Sequence, residues 1–331
     1  MREIVIGENE AEQRLDKFLA KYMKKAPKSF FYKMLRKKNI VLNGKKASGN
    51  EKLAIGDQVR LFLAEETIRG FSEAEELMEK KLSQKKGTLE KSQIIYEDKD
   101  ILLINKPAGI LSQRADTKEE SLVEWILRYL LSTGALSKED LRTFRPSVCN
   151  RLDRNTSGLI AAGKSLAGLQ VLSRLFKERD LKKYYRCIVS GKIGTGDHIK
   201  GYLSKDERTN KVTISERPLK EGDAWIETSY RPLSMTDGAT YLEVHLITGR
   251  PHQIRAHLAS IGHPLIGDYK YGSRKVNEEY RRKYGLDSQL LHACRLEFPQ
   301  MEGRLDHLSK QIFEAPIPPV FEKILKEEGL A

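Results

Sequence analysis

Residues 151–158 read Arg-Leu-Asp-Arg-Asn-Thr-Ser-Gly (RLDRNTSG). One carboxylate, Asp153, stands between two arginines and ahead of a turn-forming Asn-Thr-Ser-Gly run. By itself this is either a solvated loop charge or a carboxylate presented for chemistry. The rest of the chain has to decide between them. LIAAGKSLAGLQVLSRLFKERD reads as a strand end, a cap at Ser165 and a helix with Leu166, Leu169, Leu172, Leu175 and Phe176 inward.

On the N-terminal side of the loop, QIIYEDKDILLINKPAGIL gives two apolar runs split by Glu97–Asp100 and then a Lys106-Pro107-Ala-Gly turn, a hairpin followed by a break. SLVEWILRYLLSTG reads as a helix with Leu122, Trp125, Ile126 and Tyr129 on one face. On the C-terminal side, YYRCIVSGKI, AWIETSYRPLS and TYLEVHLIT read as strands, Leu242, Val244 and Leu246 alternating with Glu243 and His245. Antiparallel-type strands with inserted helices indicate an α+β domain with a mixed or antiparallel central sheet. It is expected to span 93–331.

Charge divides the chain further. Its 331 residues carry 59 Lys and Arg against 46 Asp and Glu, net +13, and 39% are hydrophobic. That is a globular chain with a polyanion as a natural partner. Residues 1–63 hold 15 basic and 7 acidic residues, so the first fifth carries most of the excess. Residues 64–92 have few large apolar side chains and read as a linker, with a short helix expected around Ser72–Leu82. Within 1–63, Leu15, Phe18, Leu19, Tyr22 and Met23 trace one helix face, and Ser29 is placed to cap a second helix, SFFYKMLRKKN. Asn43-Gly44 marks a hairpin. The basic residues Lys33, Arg36, Lys37, Lys38, Lys45 and Lys46 fall on the second helix and this hairpin, where RNA is a better reading than a merely solvated face.

Cys149, Cys187 and Cys294 are scattered, odd in number and without a CxxC pair. This fits a reducing compartment rather than a disulfide framework or a zinc site. Cys149 lacks a matching Cys/His arrangement and is expected to be a buried strand cysteine. His252 and His257 lack a third ligand-type neighbour, so no metal is expected. The first residues lack an apolar signal core, and no run of 18 apolar residues occurs. A cytoplasmic monomer without a membrane span is expected.

Four segments together carry a resemblance: INKPAG at 104–109, NRLDRNTSGL at 150–159, KKYYRCIVSG at 182–191, and ITGRPHQIRAHLASIGHPLIGDYKYG at 247–272. The chain resembles RNA pseudouridine synthases of the RluA/RluD type over essentially all of 93–325. The first 63 residues resemble the ribosomal-protein-type alpha-L RNA-binding module. The resemblance implies an isomerase that breaks the ribose–uracil nitrogen bond, turns the base and rejoins it through carbon 5. No cofactor is implied, because nothing is oxidised or added. Such a step needs an ionised group beside the sugar or base, a sealed pocket and an extruded nucleotide.

The resemblance makes Asp153 the catalytic carboxylate, as nucleophile at the sugar, nucleophile at the base or proton acceptor. It makes Arg255 the partner that orients Asp153 and keeps it charged in a poorly hydrated site. Tyr185, six residues before Gly191, matches an active-site tyrosine. Alternation allows only one of Tyr184 and Tyr185 into the pocket. Arg151 is expected on RNA, stacking or bonding phosphate. Arg250 and His252 either contact phosphate or hold the Thr248-Gly249 turn, and Lys106-Pro107 shapes the cleft floor. The family's usual His before Arg-Leu-Asp is Asn150 here. An amide still donates and accepts, so loop support survives, whereas a role needing imidazole would not. Large-subunit rRNA or a pre-ribosomal particle is the expected partner, with tRNA as alternative. A non-catalytic assembly factor and a carboxylate-pair hydrolase are the rivals from other classes.

Overall fold

Leu15, Phe18, Leu19, Tyr22 and Met23 are all buried in a computed structural model that describes residues 1–71, 87–114, 119–137, 139–206, 208–209 and 211–331. They lie on α1 (Leu15–Tyr22) and its cap, and meet Phe31, Met34 and Leu35 of α2 (Lys28–Arg36) in one core. The preceding strand β1 (Arg2–Val5) joins β2 (Ile40–Leu42), β3 (Lys45–Lys46) and β4 (Gln58–Leu61) in an antiparallel sheet of order β1-β4-β2-β3. Asn43 and Gly44 both adopt positive φ, 50° and 72°, as the two-residue turn between β2 and β3 requires. Two expectations change here. Pro27, not Ser29, stands at the N-cap of α2, its fixed φ suiting the helix start. The linker expected from 64 instead begins as α3 (Glu65–Phe71), whose Ile68 and Phe71 join this core. At the linker's other end Leu89 is buried in the following domain. The short helix expected around Ser72–Leu82 lies outside the described residues.

The rest of the chain builds one large sheet. Its strands are β5 (Ile94–Glu97), β6 (Ile101–Lys106), β7 (Ser147–Val148), β8 (Ser157–Gly163), β9 (Lys182–Ser190), β10 (Asp197–Lys205), β11 (Val212–Ser215), β12 (Ala224–Met235), β13 (Ala239–Leu246), β14 (Leu291–Glu297) and β15 (Ile312–Glu314). The order is β11-β10-β12-β13-β9-β14-β8-β6-β5, with β15 beside β14 and β7 beside β8. Only β8 and β14 pair in parallel among the described strands, so the sheet is mixed. Interspersed are α4 (Leu122–Ser132), α5 (Asp140–Thr143), α6 (Leu166–Glu178), α7 (Gln253–Ser260), α8 (Arg274–Tyr284) and α9 (Pro319–Glu327). Strands β10 and β11 were not anticipated: Gly201 interrupts the apolar alternation of HIKGYLSK.

Helix α4 buries Leu122, Ile126, Leu127 and Leu130, a stripe turned from the expected one, and leaves Trp125 and Tyr129 half-buried at its edge. Glu124 accounts for the turn. It is buried through the capping box with Ser121 and an ion pair to Arg114. Ser165 caps α6 as expected, accepting from the Gly168 amide at 3.0 Å.

The parallel β8–β14 contact decides where Asp153 sits. Gly158 has φ +113°, and a Cβ there would lie 2.2 Å from the Ala293 carbonyl oxygen. No side chain fits, so glycine lets the strand after the Asp153 turn run against β14. Gly158→Ala is expected to cost about 3 kcal/mol or more. A urea titration would show it, and an unchanged midpoint would contradict this account.

The two units touch through polar contacts. Asn9 Oδ1 accepts from the Leu166 amide at 2.9 Å, at the start of α6. Thr143 hydrogen-bonds Glu10, Arg142 lies over the Tyr22 ring, and Arg304 bridges Glu8 and the fully buried Asp100.

Candidate active site

The loop from Arg151 to Thr156 is held from behind. Ser112 Oγ accepts from the Leu152 amide at 3.0 Å and donates to its carbonyl at 2.8 Å. Lys106 is fully buried, and its ammonium donates to the carbonyls of Pro107, Ile110 and Arg154 at 2.8, 2.9 and 3.0 Å. Burial pulls its pKa down to about 7, opposed by nearby Asp153. The expectation that Lys106 forms the cleft floor is therefore corrected. It lies beneath the loop and ties the KPAG turn to it, because three convergent carbonyls offer what an ammonium's three donors need. Asn150 bridges the backbone of β8, donating to the Leu159 carbonyl at 3.1 Å and accepting from the Ala161 amide at 2.8 Å. Both ends of its amide are used in loop support, with no part in the cleft chemistry required of it.

Arg255 reaches the loop from α7. Its guanidinium grips Asp268 in a fork, Nε to Oδ2 at 2.7 Å and Nη2 to Oδ1 at 2.9 Å, and its remaining arm donates to Asp153 Oδ2 at 2.8 Å. The planar fork can serve two carboxylates at fixed angles, which a lysine could not. Asp268 is fully buried and also accepts from the amides of Lys270 and Tyr271. Burial alone would raise its pKa, but Arg255 and these amides overcome it and hold the group below the ordinary carboxylate range. Burial would likewise weaken the Arg255 cation, and the two aspartates more than restore it. Arg154 turns outward to Glu119. Helix α7 is itself fixed by buried Gln253, which bonds Thr228, Thr248 and the Glu227 carbonyl.

Tyr185 pairs with Val244 of β13 and Ala293 of β14 and faces the same cavity as Asp153. Burial, then the Asp153 charge, push its hydroxyl above the ordinary tyrosine range. Tyr184 points to the other face, stacked on His245 at 4.7 Å with Arg295 over its ring at 4.0 Å. The cavity holds about 790 Å³ and is walled by Asp153, Tyr185, Leu246, Ile254, Arg255 and Leu291. Its rim carries Arg151, Lys177, Arg179, Lys183 and Arg250, none of them in an ion pair among the described residues. Burial, with Arg179 adding repulsion, lowers the Lys183 pKa to about 8. This is a cleft with one carboxylate inside, Tyr185 beside it, and uncompensated cations at its mouth.

His252, expected on phosphate or at the Thr248-Gly249 turn, places its Nε2 3.9 Å from Asp153 Oδ2 inside the cleft. Arg250 is exposed at the rim. Cys149 is a correction: it lies just past β7, half-buried and lining the cleft, and burial raises its pKa to about 11. Lys33, Arg36, Lys37, Lys38, Lys45 and Lys46 are all exposed and belong to the N-terminal unit, apart from the cleft wall. Asp268, Lys177, Arg179 and Lys183 had no sequence signal that singled them out. Asp268 stood in the quoted GDYKYG run but had no spacing cue tying it to Arg255. Among the described residues, no group of three His, Cys, Asp or Glu is arranged to hold a metal, and no helix is long and apolar enough to cross a membrane.

A family profile described as RNA pseudouridylate synthase matches residues 100–260. The chain is similar to proteins named ribosomal large subunit pseudouridine synthase C. It is 30% identical to that of Vibrio parahaemolyticus over 97% of this chain and 94% of the relative. With that of Vibrio cholerae it shares 32% identity over 92% of this chain and 91% of the relative. Human RNA Pseudouridylate Synthase Domain Containing 4 shares the fold, with a TM-score of 0.55 at 20% identity, over 76% of this chain and 95% of that one. Human RNA Pseudouridylate Synthase Domain Containing 1 gives 0.50 at 22% identity, over 73% and 98%.

Proposed function

Because the chain belongs to the RNA pseudouridylate synthase family, and so isomerises uridine in RNA, we propose that its substrate is large-subunit ribosomal RNA. The end-to-end similarity to relatives named for that RNA carries the reading. The target uridine leaves its stack and enters the cleft, where the base lies against Tyr185. Asp153, oriented by Arg255, acts at the ribose or the base as the C1′–N1 bond breaks. The walls retain the detached uracil while it turns. A C1′–C5 bond forms, the C5 proton leaves and N1 takes one up, so atoms and charge balance without a redox partner. Arg151, Arg250, Lys177, Arg179 and Lys183 receive the flanking phosphates.

In the same reading, residues 1–71 are the alpha-L-type module, and the exposed Lys33, Arg36, Lys37, Lys38, Lys45 and Lys46 hold folded rRNA. The protein works as a monomer in the cytoplasm. Changing Lys33, Arg36, Lys37 and Lys38 together to alanine is expected to raise KM about tenfold or more with kcat nearly constant, and to flatten the salt dependence of RNA binding. A fall confined to kcat would argue against an RNA role for this face. The substrate itself is tested by mapping pseudouridines in cells lacking the protein. A missing large-subunit rRNA site is expected. An unchanged rRNA map with a missing tRNA site would overturn the choice.

A further inference from the structure

His252 lines the cleft and makes its one described side-chain hydrogen bond through Nδ1. The residue precedes α7 with a left-handed backbone, φ 58°, uncommon for a residue other than glycine. Its Nδ1 lies 3.0 Å from the Tyr271 hydroxyl. That hydroxyl already accepts from the Val212 amide at 3.0 Å, and it meets no other acceptor among the described residues. That leaves Nδ1 as the acceptor the structure offers for the hydroxyl's own proton, an arrangement in which Nδ1 accepts. A neutral imidazole with Nδ1 accepting carries its proton on Nε2. Burial first, with Arg255 and Lys270 adding to it, lowers the imidazole pKa, while Asp153 and Asp268 pull the other way. Nε2 faces the cleft beside Asp153, at 3.9 Å too far for a direct hydrogen bond to that carboxylate.

An oriented N–H with no protein acceptor, in a cavity that takes a uracil, selects for a carbonyl. We propose that His252 Nε2–H donates to a carbonyl oxygen of the extruded uracil, and that Tyr271 is the positioning residue that fixes this tautomer. Uracil offers an acceptor at carbon 4 where cytosine offers an amino donor, so a fixed donor there also discriminates between the two bases. The Val212 amide makes strand β11 part of the device: it orients Tyr271, which orients His252. The inference rests on the isomerase reading and adds a base-recognition contact to it.

The experiment pairs a change in the enzyme with a change in the base. A large-subunit rRNA transcript is made with uridine, 2-thiouridine or 4-thiouridine, since sulfur accepts hydrogen bonds more weakly than oxygen. The native protein and His252→Phe are compared on each by kcat/KM. On uridine RNA, His252→Phe is expected to lose about tenfold. The native protein is expected to lose about the same on one of the two thio transcripts, and His252→Phe to lose nothing further on it. His252→Gln, whose amide places a donor near Nε2, should recover most of the loss. Equal thio penalties in native and His252→Phe proteins would overturn the contact. Independently of turnover, ¹⁵N-histidine spectra of the full chain should place the proton on Nε2 in the native protein and on a mixture in Tyr271→Phe. A native protein protonated on Nδ1 would overturn the assignment. Absence of pseudouridine from the native protein on unsubstituted transcript would remove the substrate reading on which the contact rests. Turnover without the thio pattern would remove the contact alone.

Discussion

Asp153→Asn is expected to leave the protein folded and to lower tritium release from carbon-5-labelled uridine RNA by at least about 10³-fold. The change is nearly isosteric. Asp153 is partly exposed on a loop whose hold comes from Ser112 and Lys106 through backbone atoms, so the loop keeps its shape without the carboxylate. Arg255 keeps its fork on Asp268 and is not left unpaired. Binding should survive, because the cations at the cleft mouth and on the N-terminal unit are untouched. KM within a few-fold of native, together with lost turnover, is therefore the expected pattern. Equal tritium release from both proteins would sink the catalytic role of Asp153. It would revive the reading in which the chain only binds RNA. Free uracil as the product would instead point to hydrolysis.

Arg255→Leu is expected to be the most damaging single change to the site's architecture, lowering stability by about 3–5 kcal/mol. It strands Asp268, which is fully buried and would then answer only to two backbone amides. It also frees Asp153. The same pair sets an acid limb. Asp268 has a folded-state pKa below its unfolded value, so its contribution to stability is present above the unfolded value, about pH 4, and is lost as pH falls through the folded one. Asp268→Asn should consequently destabilise the protein at neutral pH and flatten the loss of stability below about pH 4. Urea unfolding at several pH values reads both effects. An Asp268→Asn protein whose acid limb is as steep as the native one would contradict the pairing.

Much of this was legible along the chain because local patterns survive folding. The helix face of Leu15, Phe18, Leu19, Tyr22 and Met23 repeats at helical spacing and is buried as such. The Asn43-Gly44 turn needs positive φ, and those two residues tolerate it. Strand alternation puts Tyr185 and Tyr184 on opposite faces of the sheet, as the structure has them. Where local pattern and tertiary demand disagreed, the tertiary demand won. Glu124, apolar neither in type nor in pattern, was drawn inside by Ser121 and Arg114, and the buried face of α4 turned with it. Lys106 looked like a cleft residue, yet three carbonyls hold it beneath the loop.

The order of residues alone sufficed for the α+β class and the basic N-terminal unit, and through four motif segments for the family. Residue type and spacing carry the class and the unit, since each depends on near neighbours in the chain, whereas Asp153 was singled out only by what the family resemblance implies. It took the folded arrangement to establish that Arg255 serves two aspartates, that Asn150 and Lys106 are loop supports, and that His252 Nε2 lies beside Asp153 in the cleft. Those facts depend on groups tens to hundreds of residues apart meeting within hydrogen-bond distance. The parallel contact of β8 with β14, open because Gly158 has no side chain, is one of the joints that brings them together.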